Sequence, residues 1–160
     1  MGFLKKIKNY ITGGAAKVDV VFENNKVQST SPVRCFVTAE ASQNCNISKV
    51  YVEFKGEEMY LATEETTDSD SDGNMISSTS DRKSYEPVHY EKKIAAKKTH
   101  LKVGESEKWL VSFNFPEEVI PTYHGKNAHF KWLVRAGLDM AGIDPKSKWT
   151  EVIVEKEFIF

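Results

Sequence analysis

From Ala16 onward the apolar side chains recur at every second position, segment after segment, and this period of two governs what the chain can fold into. A period of two places successive side chains on opposite faces of a strand, so each segment has one face to bury and one to leave in water. Residues 16–24 alternate around Val18, Val20 and Phe22, and the two asparagines that follow make a turn. Residues 32–41 alternate through Val33, Cys35, Val37 and Ala39. Residues 47–57 place Ile47 inward, then Val50, Val52 and Phe54 after a register adjustment at Ser48-Lys49. Residues 108–115 alternate as Trp109, Val111, Phe113 and Phe115, and Pro116 closes that strand. Residues 127–140 run through Phe130, Trp132, Val134, Ala136, Leu138 and Met140, and residues 149–158 through Val152, Val154 and Phe158. Residues 86–96 are mostly polar and read as an edge or two-sided strand.

No helical crossover of the kind a parallel sheet needs is visible between these segments. Seven to nine strands joined by polar turns therefore predict an all-β, immunoglobulin-like antiparallel sandwich over residues 15–160, a single domain. A chain of 160 residues buries roughly 68–70% of its unfolded surface, enough to fold without covalent staples.

The period differs only at the start. Residues 3–12 carry Phe3, Leu4, Ile7, Tyr10 and Ile11 at helical spacing, with Lys5, Lys6, Lys8 and Asn9 on the other side. This predicts a short amphipathic helix over residues 1–14, capped by Gly13-Gly14, since glycine takes the left-handed cap conformation without penalty. Phe3, Leu4, Ile7, Tyr10 and Ile11 can pack on the domain's own sheet or on a second copy. With Lys5, Lys6 and Lys8 beside them, they can also contact an anionic membrane or a partner protein.

Composition excludes several classes. The net charge is −1, from 22 basic and 23 acidic side chains, so no global field draws nucleic acid. Basic residues are not interleaved with aromatics as a nucleic-acid face requires. The one basic cluster, "EKKIAAKKTH" at 91–100, suits the blunting of an edge strand. No apolar run is long enough to span a bilayer. The lysine-interleaved N-terminus has no small-residue cleavage site, so a cytoplasmic or membrane-peripheral setting is expected. Cys35 and Cys45 make no disulfide framework.

Few patterns point to chemistry. "DSDSDG", Asp68 to Gly73, begins as an EF-hand loop does, with carboxylates at Asp68, Asp70 and Asp72. Position 12 of that loop is Thr79 in place of the bidentate Glu, and no helices flank it. The surrounding Ser-, Thr- and Asp-rich residues 63–84 read as a mobile loop or a poorly paired hairpin tip. Either this is only an acidic loop, or it is a weak calcium site; no other cofactor is implied. His124 and His129 flank a turn without a third ligand at a telling spacing, and no nucleophile elbow or phosphate-binding glycine loop exists.

The segment "WLVSFNFPEEVIPTYHGKNAHFKWLVRAGLDMAGIDPKSKWTEVIV", residues 109–154, resembles the second half of an arrestin N-terminal-type domain. The residues that carry the likeness are Phe115-Pro116, Pro121, Gly125, the run Trp132 to Asp139, and Val152-Ile153-Val154. "GFLKKIKNYITGGAAKVDVVFE" is similar to the start of the bacterial sporulation-control proteins, as is the loop in "GLDMAGIDPKSK". The resemblance omits residues 58–100. It implies a non-enzymatic adaptor or regulatory scaffold that acts through protein partners inside the cell. Apart from the resemblance, a sandwich often leaves a strand edge open, through which the domain can pair with itself. Members of these families carry a second sandwich after the last strand, whereas this sequence ends at Phe160. Their interdomain charged contacts are therefore not carried over. Asp144-Pro145 reads as a turn, with Trp132 and Trp149 either in the core or at a partner-facing surface.

Overall fold

The computed structural model describes residues 14–157, and every statement below concerns those residues. Nine strands form two sheets. The smaller has the order β1 (Ala16–Phe22), β3 (Val33–Ala41), β6 (Ser106–Phe113). The larger has the order β2 (Lys26–Gln28), β9 (Thr150–Glu155), β8 (Ala128–Met140), β4 (Cys45–Ser69), β5 (Met75–Leu101), and the short β7 (Tyr123–His124) also pairs with β8.

The alternation read from the sequence sets the core. Val18 and Val20, then Val33, Cys35 and Val37, then Val111 and Phe113 line the inner face of the small sheet. They meet Val50, Val52, Phe54, Trp132, Val134, Ala136, Leu138, Val152 and Val154 of the large one. The register adjustment expected at Ser48-Lys49 is present as an irregularity between Ile47 and Lys49 in the β4–β8 ladder. Residues 86–96 do lie in an edge strand, β5.

The wholly antiparallel arrangement is corrected: β2 runs parallel to β9, with Lys26 opposite Ile153 and Gln28 opposite Glu155. Only a hairpin forces two strands to be antiparallel. Here the chain leaves β1 in one sheet and crosses to the edge of the other, where the carbonyl of Asn25 accepts from the Ile153 amide at 2.8 Å. The described residues contain no helix. The helix expected over residues 3–12, with its side chains Phe3 to Ile11, lies outside them.

Residues 63–84 also differ from expectation. They continue β4 and β5 in unbroken register, from Thr63 opposite Asp81 to Ser69 opposite Met75. Polar residues suffice because they bond across the ribbon. Thr63 Oγ1 reaches Asp81 at 3.1 Å, Thr66 Oγ1 meets Ser78 Oγ at 2.8 Å, and Ser77 Oγ donates to Glu65 at 2.9 Å. Such cross-strand pairs stabilise a ladder already started inside the sandwich. β8 leaves the ribbon at Tyr60, so beyond it β4 and β5 form a free two-stranded arm.

At one end of the core five aromatic rings cluster. Trp132 stacks on Phe54 with centroids 5.1 Å apart and meets Phe115 and Phe130 edge-on at 5.0 and 5.5 Å. Phe113 lies 4.9 Å from Phe54. Trp132 stands directly opposite Gly56, which lets the rings approach. A methyl group at Gly56 would sit 2.9 Å from Phe130 and 3.0 Å from Trp132. Gly56→Ala is expected to lose roughly 1–3 kcal/mol through overpacking, and Trp132→Ala about 3–5 kcal/mol through the cavity it leaves. Urea unfolding followed by far-UV circular dichroism measures both.

Candidate functional site: the outer face of the large sheet

The residues of β4 that point away from the core are Tyr51, Glu53 and Lys55, and opposite them on β8 stand Gly137, Arg135 and Leu133. Alternation alone assigns this face to water, yet Tyr51 is only 4% exposed and Glu53 only 9%. A lone carboxylate so enclosed needs partners, and Glu53 has two. Arg135 grips Oε2 with Nε at 2.9 Å and Nη2 at 2.8 Å, and the Tyr90 hydroxyl of β5 donates to Oε1 at 2.8 Å. Burial pushes the Glu53 carboxyl up. The hydrogen bonds from Tyr90 and Arg135, with the charges of Arg135 and Lys146, outweigh it and hold the group below its ordinary value.

Trp149 covers this pair. The Arg135 guanidinium lies 4.4 Å from its ring centroid and the Lys55 ammonium 4.5 Å. Lys55 is in turn held by Glu57 at 2.6 Å. The indole is half-buried, with two cations on it.

Farther along the same face the Tyr51 ring lies over Gly137, where an added Cβ would fall 2.3 Å from the ring. Its hydroxyl donates to Asp144 Oδ2 at 3.1 Å, and the Lys92 ammonium sits 4.0 Å above the ring. Burial, then the charge of Asp144, pushes the Tyr51 hydroxyl far above its usual range, so it stays protonated. Lys49, Tyr51, Lys92, Ile94, Asp139 and Asp144 line a recess of about 520 Å³ there.

The loop "AGIDPKSK" supports this face. Gly142 takes a positive φ of 98°. The Pro145 carbonyl then accepts from the Leu138 amide at 3.0 Å, and Ser147 exchanges bonds with Ala136 at 2.9 Å each way. The loop thus runs as an added strand beside β8 and delivers Asp144 to Tyr51 and Trp149 to Arg135.

The other sites read from the sequence are placed as follows. Asp70 closes the hairpin tip: its carboxylate accepts from the amides of Asp72 and Asn74 at 3.0 and 2.8 Å, and Gly73 adopts φ 81°. Asp68 belongs to the β4 ladder, opposite Ile76. Among the described residues, Asp68, Asp70 and Asp72 do not gather into a metal-holding group, and no three His, Cys, Asp or Glu do. His124 and His129 stand opposite each other with ring centroids 6.3 Å apart, and His124 pairs with Glu151 at 3.0 Å. Cys35 and Cys45 are buried free thiols, and burial raises Cys35 to about 11. Phe3, Leu4, Lys5, Lys6, Ile7, Lys8, Tyr10 and Ile11 lie outside the described residues. Trp132 is core, as one of the two alternatives had it, and Trp149 is half-buried outside the core. The Glu53–Arg135 pair was missed in the sequence. Its signal was Glu53 between Val52 and Phe54 in "YVEFKGE" and Arg135 as the one charge in "WLVRAGL".

Two face-to-face sheets of nine strands, mixed by one parallel pair, make a β-sandwich. In particular the fold is similar to Spo0M, a sporulation control protein from Bacillus subtilis, with a TM-score of 0.61 and 20% identity over 89% of this chain and 50% of that one. The chain thus spans half the length of the structure it matches. No family model matches it, and no curated protein matches it in sequence. No helix among the described residues is long and apolar enough to cross a membrane.

The pair at Glu53 fixes a pH dependence. Its folded-state value is lowered, so its contribution is complete above the unfolded value of about 4.3 and disappears as pH falls through the folded one. Arg135→Met is expected to cost about 2–3 kcal/mol at pH 7, below the figure for a fully enclosed pair because Arg135 keeps some solvent contact. The gap between wild type and variant should narrow below about pH 4; denaturant titrations from pH 3 to 7 measure it.

Proposed function

We propose that the protein is a non-enzymatic, sporulation-control-like regulatory adaptor that docks a protein partner on the outer face of its large sheet. The observation that carries this reading is Trp149, half-buried between Arg135 and Lys55 on a face that no other strand covers among the described residues. Tryptophan, tyrosine and arginine are the residue types that anchor interfaces, and they do so best when held rigid before contact. Trp149 is held by its cations, Tyr51 by Asp144 and Gly137, and Arg135 by Glu53. Glu53 with Arg135 and Tyr90, Lys55 with Glu57, and Tyr51 with Asp144 are engaged with one another, which suits recognition better than proton transfer. The likeness to Spo0M supports the regulatory sense of the proposal through fold.

Site-directed photo-crosslinking tests it. A photoreactive residue at Ile94, exposed beside the recess, is expected to capture a discrete protein from lysate. One at Val103, more open still but outside the recess, is not. Trp149→Ala should cut the Ile94 adduct at least about tenfold while circular dichroism stays unchanged, the loss expected for an interface anchor. Equal capture from both positions, or no effect of Trp149→Ala, rejects the assignment.

A further inference from the structure

Four strands end a sheet, and three of them are protected. β2 is three residues long. β5 carries Pro87, Lys92, Lys93, Lys97 and Lys98, residues that discourage further pairing. β6 lies against β5, with Lys93 Nζ bonded to the Ser112 carbonyl at 2.7 Å. β1 is seven residues long and has no proline, and its one lysine, Lys17, is neutralised by Asp19 at 3.0 Å. Ser42 donates to the Ala15 carbonyl and Glu23 to the Arg34 carbonyl, both at 2.9 Å, so the odd-numbered peptide groups of β1 face β3. Those of Ala16, Val18 and Val20 therefore point away from β3, along an edge that pairs with no strand among the described residues. Beneath that edge runs a groove of about 920 Å³, lined by Ala16, Val18, Val20 and the 144–148 loop.

The side chains of β1 identify what fits. Lys17 and Asp19 are exposed on one face and bridged at 3.0 Å, while Ala16, Val18 and Val20 are buried on the other. An antiparallel copy of the same strand, centred on Val18, sets Lys17 against Asp19 of the second copy and Asp19 against its Lys17. The same register sets Val18 against Val18 and Ala16 against Val20. The free N–H and C=O groups of Ala16, Val18 and Val20 then meet as hydrogen-bonded pairs. The charged residues fall in the intervening pairs, where side chains approach more closely. Glu40 on β3 stands opposite Lys17 and extends the charge row.

We propose that β1 pairs antiparallel with β1 of a second copy about a two-fold axis through Val18, joining the two small sheets into one. Ala16, Val18 and Val20 of each copy then close the groove at the other's open edge. The seam runs along β1, and its groove shares the 144–148 loop with the Trp149 face.

Sedimentation velocity of the full chain tests the proposal with exposed residues, whose exchange leaves the core intact. Wild type is expected to dimerise. Lys17→Asp makes the strand doubly acidic and Asp19→Lys makes it doubly basic, so each variant alone sets like charges across the seam. Each should weaken self-association at least about tenfold. An equimolar mixture of the two variants should recover a dimer, because this register sets every charge of one against an opposite charge of the other. A wild type that stays monomeric at high concentration, variants that dimerise as wild type does, or a mixture that stays monomeric would each overturn it.

Discussion

The pairing of β4 with β8 is the constraint on which the rest of the molecule depends. It runs from Ile47 opposite Met140 to Tyr60 opposite Ala128 and forms the middle of the large sheet. Its inner face supplies Phe54, Trp132, Val134 and Leu138 to the core, and its outer face supplies Tyr51, Glu53 and Arg135 to the candidate site. On each face one aromatic ring lies over the glycine directly opposite it: Trp132 over Gly56 inside, Tyr51 over Gly137 outside. A glycine is weak in a strand unless a neighbouring side chain covers it. Here the missing side chain is what allows each ring to lie flat, so the same two positions shape the core and the face.

The outer face shows how a polar surface becomes rigid. The Arg135 guanidinium is both a fork for Glu53 and a plate against Trp149, a pairing of roles that lysine cannot reproduce. Tyr90 supplies the last bond to Glu53 from the edge strand. Three elements of the large sheet and one loop are thus tied through one carboxylate. The loop read as a turn is the clamp that holds the site, with Asp144 within it and Trp149 directly after it.

Much of this was legible in the sequence, and the rest was hidden for physical reasons. Alternation at Val33–Ala39 and Trp132–Leu138 gave the buried faces, and the lysines of β5 marked an edge. The arm was not readable, because Ser, Thr and Asp bury too little surface to specify order by themselves. Its register comes from the ladder begun at Cys45 and from the turn that Asp70 and Gly73 close. β2 was not readable because a three-residue strand has no period. Glu53 and Arg135 were hidden because alternation distinguishes only two faces and cannot tell that something lies over the outer one.

The β4–β5 hairpin has a consequence for how the molecule assembles. Its turn joins neighbouring residues, so it can zip without waiting for any other part of the chain. β8 cannot: every one of its bonds to β4 closes a loop that contains the whole of β5 and β6. The entropy of those closures comes before any reward from the aromatic cluster, which places the fold among the slow, non-local β topologies. During that interval a completed hairpin would present β4 as a bare template, with Val50, Val52 and Phe54 uncovered, until β8 arrives to seal it.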